Sequence, residues 1–489
     1  MFDKTAFTSA VPTPIYQQLY DHLRLAILAG RLETGMKLPS TRLLAAELGI
    51  SRNTILNAYD QLIAEGYIES VEGKGTFVTQ VLPEQHPTTP ARVKPSSRET
   101  DRPALRLSKR AKAVLATPVL SYGEHEYPSA AFRAGLPSMD AFPYELWAKY
   151  VAREAHRLHP TSLMRQDVLG YPPLREAIAN HVTLARQVRC TPQQVIVVSG
   201  AQGALDLAAR VLLNPGDKVW IEDPGYPGAR GALVAAEAQL VPVSVDDNGL
   251  IVDVGMQRAP DARMAYLTPS HQFPLGVSLS LARRLALLKW ASQVGSYILE
   301  DDYDSEYRFA GRPLASLQGL DDHDQTLYIG TLSKVLFPSL RLGYIVVPEV
   351  LIDAFAAMRH YIDGNISSLE QRALAAFMAD GHFVRHIRRM RVLYAERRKL
   401  LLQAVSSLPL EIVAPETGMH LIGWLPEGVN DQQVSRQAAK HNVFVLPISS
   451  LAMTETSRSG LVLGYAGVTE REIRDAVKRL ADVFHEIGI

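Results

Sequence analysis

The feature that most constrains the fold is an alternation of short apolar runs with longer stretches of helical spacing, such as Gly203–Leu213 and Leu281–Val294. Strands that alternate with helices form a largely parallel sheet with helices on both faces. In such sheets, ligands bind at the carboxyl ends of the strands. The sequence therefore predicts an α/β domain. The predicted strands are Gln194–Ser199, Lys218–Glu222, Leu240–Val245, Met264–Thr268, Ser296–Leu299, Thr326–Ile329 and Arg341–Val347.

A loop between the last two predicted strands carries a candidate nucleophile, Lys334. Thr331 and Ser333 precede it, and Arg341 follows. An amine shielded among apolar strands is a usable nucleophile toward an aldehyde. Hydroxyl and guanidinium groups suit a phosphate. This loop therefore indicates pyridoxal phosphate held as a Schiff base, although an ordinary surface lysine is the alternative from this stretch alone.

Three other strand ends carry candidate ligand groups. Ser199–Ala204 consists of small residues at a helix start, where backbone N–H groups attract an anion. Ile298–Glu306 is rich in carboxylates, one of which would pair with a protonated pyridine nitrogen. The alternatives are acids that bind nothing or a metal site, which the lack of a nearby His-rich segment disfavours. Glu222–Tyr226 ends in an aromatic that can stack on a flat ring.

The first 80 residues show a different pattern, typical of a DNA-binding domain. A first helix is predicted to begin at Pro14 behind a Thr13 cap, a second behind Ser40 and a third behind Ser51. The last two are joined by a short glycine turn, which describes a helix-turn-helix. Residues 67–78 form two apolar runs around glycines, which predicts a hairpin wing.

Polar residues at the start of the third helix are of types that bond base edges and phosphates in the major groove. Basic residues at the second helix and the wing would contact the DNA backbone. Residues 1–80 hold seven Lys/Arg against eight Asp/Glu, whereas nucleic-acid modules are usually basic. A winged helix used only for protein contacts is therefore the alternative. The predicted DNA-binding residues are Arg42, Ser51, Arg52, Asn53, Thr54 and Lys74.

Residues 81–112 separate the two patterns and are rich in proline, with eight Lys/Arg and three Asp/Glu. Such a segment is predicted to be a semi-extended linker. The single cysteine excludes an intramolecular disulfide and fits a reducing cytoplasm. No signal peptide, no long apolar span and no cluster of His and Cys with metal spacing is found. We therefore expect a cytoplasmic protein with neither a membrane partner nor a metal.

Two resemblances are specific. Leu38–Thr54 followed by Ala58–Gly66 resembles the DNA-binding domain of GntR-family bacterial regulators. Lys334 and the strand-end motifs resemble fold-type-I PLP enzymes of the aspartate aminotransferase class, over roughly residues 130–485. The combination is similar to the MocR (PdxR-like) subfamily of transcription regulators.

This resemblance implies a domain division. Residues 1–80 would be the winged helix-turn-helix and 81–112 the linker. Residues 113–489 would be the PLP-binding effector domain. Within it, a large part (about 130–365) would hold a mainly parallel seven-stranded sheet, and a smaller α+β part would span about 366–489.

The resemblance also implies a role for each candidate residue. Lys334 would form the Schiff base, and Asp301 would pair with the pyridine nitrogen. Tyr303 would bond the phenolic oxygen of the ring, and Tyr226 would stack on it. The phosphate would be held by Ala201, Gln202, Thr331, Ser333 and Arg341.

Two positions depart from the aminotransferase pattern. The Asn-Pro-x-Gly turn that supplies an asparagine to the ring oxygen is replaced by Ser270–Gly276, so His271 or Gln272 would serve, or neither. Val462 stands where carboxylate-binding members carry arginine, although Arg458 lies nearby in sequence. Losing that partner would cost an amino-acid substrate about 1.5–3 kcal/mol.

The sequence therefore predicts a regulator that binds double-stranded DNA and PLP, associated with the nucleoid when bound to DNA, and controlling vitamin B6 genes with PLP as effector. A head-to-tail, domain-swapped homodimer is implied by the resemblance. One alternative is a regulator of GABA, taurine or similar amino compounds, which would be effectors. An active aminotransferase is an alternative of another class, and a residual half-reaction is compatible with a regulator.

Overall fold

A computed structural model describes residues 13–80, 107–118, 131–164, 167–311, 315–364, 366–456 and 458–489. The chain divides into two compact units, Met1–Leu105 and Arg106–Ile489. Within the described ranges, no helix is long and apolar enough to cross a membrane.

The first unit is a three-helix domain with a two-stranded hairpin, as predicted for a winged helix-turn-helix. Its apolar residues converge on one core, which includes Leu23, Leu44, Ile55 and Leu62. The two strands pair antiparallel. Its elements are α1 (Ile15–Leu28), α2 (Thr41–Leu48), α3 (Arg52–Ala64), β1 (Ile68–Val71) and β2 (Gly75–Val78).

The turn between α2 and α3 follows from its capping residues. The Oγ atom of Ser40 accepts a hydrogen bond from Leu43 N (3.3 Å) at the start of α2. Gly49 ends α2 with φ +70°, a left-handed conformation that glycine adopts without steric cost. The prediction for α1 is wrong by one residue, because Pro14 has the extended angles φ −55° and ψ 143° and α1 begins without a side-chain cap.

The second unit contains the remaining elements. Its helices are α4 (Lys109–Leu115), α5 (Tyr144–His156), α6 (Pro160–Met164), α7 (Pro172–Arg186), α8 (Gly200–Leu212), α9 (Pro227–Ala235), α10 (Val252–Arg258), α11 (Leu281–Val294), α12 (Leu317–Leu320), α13 (Ile352–Ile362), α14 (Ser368–Ala379), α15 (His382–Val405), α16 (Asp431–Lys440) and α17 (Glu470–Glu486). Its strands are β3 (Val195–Val198), β4 (Lys218–Asp223), β5 (Gln239–Asp246), β6 (Gly249–Leu250), β7 (Met264–Leu267), β8 (Tyr297–Asp302), β9 (Thr326–Thr331), β10 (Gly343–Val346), β11 (Glu411–Val413), β12 (His420–Trp424), β13 (Leu446–Pro447) and β14 (Gly460–Gly464).

The large sheet has eight strands in the order β3-β10-β9-β8-β7-β4-β5-β6. Strands β5, β4, β7, β8 and β9 run parallel, whereas β10 is antiparallel to both of its neighbours. All seven predicted strands are present. The additional strand, β6, has only two residues and is too short to give an alternating pattern. Apolar clusters on both faces of this sheet confirm the α/β class.

A second sheet of four antiparallel strands, β11-β12-β14-β13, packs with α15, α16 and α17. Helix α14 falls within the predicted small part, yet it packs against α5 and α7 in a core of the large sheet. Helix α4 covers the end of the predicted linker and packs against α9, with an ion pair of 2.9 Å between Arg110 and Glu237. The rest of the predicted linker, 81–106, lies outside the described residues.

Candidate functional site

A cavity of about 340 Å³ opens at the carboxyl ends of strands in the large sheet. Nine of the ten predicted cofactor residues line it, and His271 does not. The fold therefore brings together groups that are far apart in the chain. The lining residues are Ala134, Gly135, Leu136, Gly200, Ala201, Gln202, Tyr226, Thr268, Phe273, Asp301, Tyr303, Thr331, Ser333, Lys334, Pro338, Arg341 and His420.

Lys334 lies on the loop that follows β9. Its Nζ atom donates a hydrogen bond to Gly135 O at 2.7 Å. Both neighbours on the C-terminal side, Val335 and Leu336, are fully buried. These buried neighbours fix the backbone beside Lys334, so the amine is held at the cavity wall, as expected for a nucleophilic lysine.

Asp301 lies at the end of β8 and is fully buried. Its Oδ2 atom accepts a hydrogen bond from the Tyr266 hydroxyl at 2.8 Å, while Oδ1 has no hydrogen-bond partner among the described residues. Burial raises the pKa of Asp301 to about 7, helped by the Asp302 charge and opposed by Tyr266 and Lys334. A buried acceptor without a donor is costly. A protonated ring nitrogen would satisfy Oδ1, so the site fits a pyridine ring.

The cavity is also lined by groups that suit a phosphate. Ala201 and Gln202 lie in the first turn of α8, where backbone N–H groups and the helix dipole favour an anion. The Ser333 Oγ atom is buried and has no partner within the described part of the chain. Arg341 has φ +50°, and a Cβ atom on Gly200 would lie only 3.8 Å from its guanidinium carbon. Helix end, hydroxyl and guanidinium therefore face one space, which Thr331 also lines.

Tyr226 lines the side of the cavity at the start of α9. Its ring makes an edge contact with Phe273, with 6.0 Å between centroids. A Cβ atom on Gly228 would come within 2.4 Å of the Tyr226 ring, so only glycine allows this approach. The backbone therefore holds the ring in place, as a stacking role requires.

Tyr303 and His271 meet beside the cavity. The Tyr303 hydroxyl oxygen lies 3.0 Å from His271 Nδ1. The same Nδ1 atom lies 3.0 Å from each carboxylate oxygen of Asp304. His271 and Asp304 are each 1% exposed in their side chains. Tyr303 therefore stands between this buried pair and the cavity.

The side chain of Gln272, the other candidate for the missing asparagine, is hydrogen-bonded to backbone groups of its own turn and of the loop after β4. Its Nε2 atom donates to Pro224 O (2.9 Å) and Phe273 O (2.7 Å), and its Oε1 atom accepts from Leu275 N (3.0 Å). Both N–H donors of the amide are therefore used, and none is left to donate to a ring oxygen.

Val462 is fully buried in β14, paired with Ile422 on one side and Leu446 on the other. Arg458 forms an ion pair with Glu411 and lies over the Trp424 ring. Neither Val462 nor Arg458 lines the cavity, and Arg341 is the only arginine among the described lining residues.

Some lining residues were not among the predicted ligand groups, among them Gly135, Thr268, Phe273 and His420. Phe273 lies in the Ser270–Gly276 turn noted above as a departure from the aminotransferase pattern. His420 comes from the second sheet, where no local pattern marks a ligand site. His420 donates from Nε2 to Pro274 O at 2.9 Å, and burial lowers its pKa to about 3. An uncharged imidazole therefore closes one wall of the cavity.

The first unit carries the predicted DNA-binding residues on three elements, namely α2, the start of α3 and the turn of the hairpin, and all but the half-buried Thr54 are exposed. Arg42, Arg52, Asn53 and Lys74 are exposed, and Lys74 lies in the turn between β1 and β2. Ser51 and Thr54 have a structural role as well, because Ser51 Oγ accepts from Thr54 N at 3.2 Å and caps α3. The arrangement matches a recognition helix with an adjacent wing, and DNA contact by these residues stays a prediction.

Two family models match the chain. "Bacterial regulatory proteins, gntR family" matches residues 15–78, and "Aminotransferase class I and II" matches residues 140–480. Each match coincides with one of the two units.

Two relatives align with nearly the whole chain, across both units. The chain is 39% identical over 475 residues, 96% of its length and 94% of the relative's, to the "Probable rhizopine catabolism regulatory protein MocR" of Rhizobium meliloti. It is 31% identical, with 96% of each chain covered, to the "HTH-type pyridoxine biosynthesis transcriptional regulator PdxR" of Corynebacterium glutamicum. Among solved structures, an archaeal alanine:glyoxylate aminotransferase is similar with a TM-score of 0.69 and 28% identity, covering 74% of this chain and 92% of that one.

Proposed function

The chain belongs to the MocR type of GntR-family transcription regulators, which join a helix-turn-helix domain to an aminotransferase-like domain, and we propose that it senses pyridoxal phosphate. The proposed output is control of vitamin B6 genes. The full-length relatives reported above are named as regulators, so the chain is a transcription regulator rather than an enzyme.

The observation that carries the proposal is that one cavity is lined both by Lys334 and by Asp301, whose Oδ1 atom has no hydrogen-bond partner among the described residues. Pyridoxal phosphate would supply an aldehyde that condenses reversibly with a lysine amine. Lys334 would hold that aldehyde carbon, and Asp301 would accept from the ring nitrogen. Tyr226 would stack on the ring and Tyr303 would bond its phenolic oxygen. The phosphate would bind Ala201, Gln202, Thr331, Ser333 and Arg341.

PLP itself, rather than an amino acid, is favoured as effector by the surroundings of Lys334. An amino acid brings a carboxylate, whose bidentate contact with arginine is worth about 1.5–3 kcal/mol. Val462 offers no such contact and lies in an apolar core. The cavity wall around Lys334 includes Gly135, Leu136 and Pro338, which supply no cation. The relative named for pyridoxine biosynthesis supports the same effector.

A second candidate is control of amino-compound use, with the amino compound as effector. Sequence identity favours this candidate. The chain is 39% identical to the relative named for rhizopine catabolism and 31% identical to the one named for pyridoxine biosynthesis. Such an effector would be an amine able to enter the cavity beside Lys334.

Signalling requires that the effector bind two arrangements of the protein with different affinity. We propose that these are two arrangements of a head-to-tail homodimer, which differ in the spacing of the DNA-binding domains. Analytical ultracentrifugation with and without PLP measures the oligomeric state. A monomer under both conditions would refute this mechanism.

The deciding experiment is a gel shift on the DNA upstream of the chain's own gene, with PLP, pyridoxamine phosphate or a panel of amino compounds. We expect PLP alone to change the affinity of the wild type, and to have no effect on Lys334→Ala. A response only when an amino compound is added would favour the second candidate. Steady-state transamination above about 1 per second, within the usual enzyme range, would contradict a purely regulatory role.

A further inference from the structure

Beside the cavity, the His271 ring is fixed by two glycines of different loops. A Cβ atom on Gly418, where φ is +92°, would lie 2.0 Å from His271 Cε1. A Cβ atom on Gly276, where φ is +73°, would lie 3.2 Å from His271 Nε2. The backbone at Gly418 therefore approaches the imidazole more closely than a residue with a Cβ atom would allow, and the backbone at Gly276 packs tightly against its other edge. This close packing leaves the ring little freedom to turn or to move toward the cavity.

The hydrogen bonds around His271 Nδ1 decide which group can face a ligand. Nδ1 lies 3.0 Å from both Asp304 oxygens and 3.0 Å from the Tyr303 oxygen. A buried carboxylate stabilises the tautomer with a proton on Nδ1, so this N–H is directed to Asp304. The Tyr303 oxygen then faces an N–H and cannot donate to it. The hydroxyl hydrogen of Tyr303 is therefore left to point into the cavity.

Tyr303 stays a neutral donor in this setting. Burial raises its pKa well above the ordinary value for a tyrosine, and the charges of Asp304 and Asp301 add to the effect. His420, the other imidazole near His271, has 5.0 Å between ring centroids and a pKa lowered by burial. The polar groups that contact His271 come from the loop after β8, with Tyr303 and Asp304, and from β12, with His420.

The same three side chains, His271, Asp304 and His420, have ligand atoms within 4.8 Å of one another. Their present contacts are hydrogen bonds, since Nδ1 bonds the carboxylate directly and His420 Nε2 donates to Pro274 O at 2.9 Å. His271 Nε2 is buried and has no hydrogen-bond partner among the described residues. The contacts of Nδ1 are those of a hydrogen-bonded His–Asp pair, and the retention of a metal is therefore one of the outcomes tested below.

We propose that His271 and Asp304 are positioning residues that aim the Tyr303 hydroxyl at the phenolic oxygen of the cofactor ring, so that the missing asparagine is replaced indirectly. This inference rests on the proposed binding of PLP. It assigns to His271 a role behind Tyr303 and removes it from the residues that touch the ring.

The test measures how the absorbance of bound PLP changes with pH. A hydroxyl that donates to the ring oxygen makes protonation of the neighbouring lysine nitrogen less favourable, so its loss raises the midpoint. We expect Tyr303→Phe to raise the midpoint by about one pH unit, the size of one hydrogen bond to a charged group. His271→Gln and Asp304→Asn should raise it less, and Ser278→Ala, in the same turn region, should not change it.

A double-mutant cycle separates an indirect role from a direct one. If His271 acts through Tyr303, then His271→Gln should produce no further shift in the Tyr303→Phe background. Additive shifts would mean that His271 touches the ring itself and would overturn the inference. Asp304→Asn is nearly isosteric, so the cycle can be repeated with it if His271→Gln does not fold.

Two further results are decisive. If the wild type yields no borohydride-stable mass at Lys334 after incubation with PLP, both the proposed function and this inference fail. If the wild type binds PLP but all variants titrate like it, only this inference fails. A stoichiometric metal that stays with the purified protein through chelation would also overturn it.

Discussion

The DNA-contact surface and the cofactor cavity are built in opposite ways. The first uses residues between Arg42 and Lys74, exposed on adjacent helices and a hairpin. The second draws on residues between Ala134 and His420, most of them buried or half-buried at the ends of separate strands. Water and salt screen exposed charges, so each of them contributes only a small amount to the free energy of binding. Buried groups depend on each other, so removing one leaves others unsatisfied.

This difference predicts an order of effects. Substitutions in the cavity should produce large changes that depend on pH and on the ligand. Substitutions on the DNA-contact surface should produce graded changes that depend on salt. The following predictions test that contrast, beginning with the largest effect.

Lys334→Ala should remove the borohydride-stable PLP adduct completely, because only an amine at that place in the cavity can form the covalent link. Mass spectrometry after reduction measures it. Lys289→Ala, an exposed lysine on α11, is the matched control and should label like the wild type. An adduct that persists in Lys334→Ala would place the link on another lysine.

Asp301→Asn should change how stability depends on pH in the ligand-free protein. Because burial raises the pKa of Asp301 to about 7, its stabilising contribution is complete below about pH 4 and is lost as pH rises to 7. The amide cannot ionise, so at pH 8 the variant should have a higher free energy of unfolding than the wild type, by at most about 4 kcal/mol.

Denaturant unfolding at pH 5 and pH 8 gives this difference. Saturating PLP should reverse the ranking, because a ring N–H would stabilise the aspartate. Equal pH dependence in both proteins would show that Asp301 is ionised without penalty, and the argument from its unsatisfied oxygen would fail.

Arg52→Ala should weaken specific DNA binding by about tenfold to a hundredfold, which corresponds to about 1–3 kcal/mol for a base contact. The absorbance of bound PLP should be unchanged, because Arg52 belongs to the other unit. Arg31→Ala, an exposed arginine outside the three elements that carry the predicted contacts, is the control for charge. Loss of PLP absorbance in Arg52→Ala would indicate a folding defect instead.

The two regions also differ in how much of them the sequence predicts. The helix-turn-helix follows from local signals, such as the Ser40 and Ser51 caps and the left-handed Gly49. The strands of the large sheet and their terminal groups follow from periodicity. Local signals place helix ends only to within a residue, as for Pro14, whose extended angles keep it outside α1.

The cavity wall is harder to predict because distant loops form it. Gly135 and His420 line the same cavity as Lys334 because the second sheet packs against the part of the chain that holds the large sheet. The position of His271 behind Tyr303 depends on Asp304, thirty-three positions further along the chain. A turn sequence shows which side chains are available, and only the fold shows which of them face the ligand.

Lys74→Ala should have the smallest effect and tests the opposite end of the contrast. Lys74 is exposed in the turn of the hairpin, where a contact with phosphate releases about one counterion. Specific and non-specific DNA should lose affinity equally, by roughly two- to fivefold at moderate salt, and the slope of log affinity against log salt should fall by about one. Arg52→Ala should instead reduce the ratio of specific to non-specific affinity. If Lys74→Ala reduced that ratio as well, the wing would be reading bases, and exposure alone would no longer explain why effects on this surface are small.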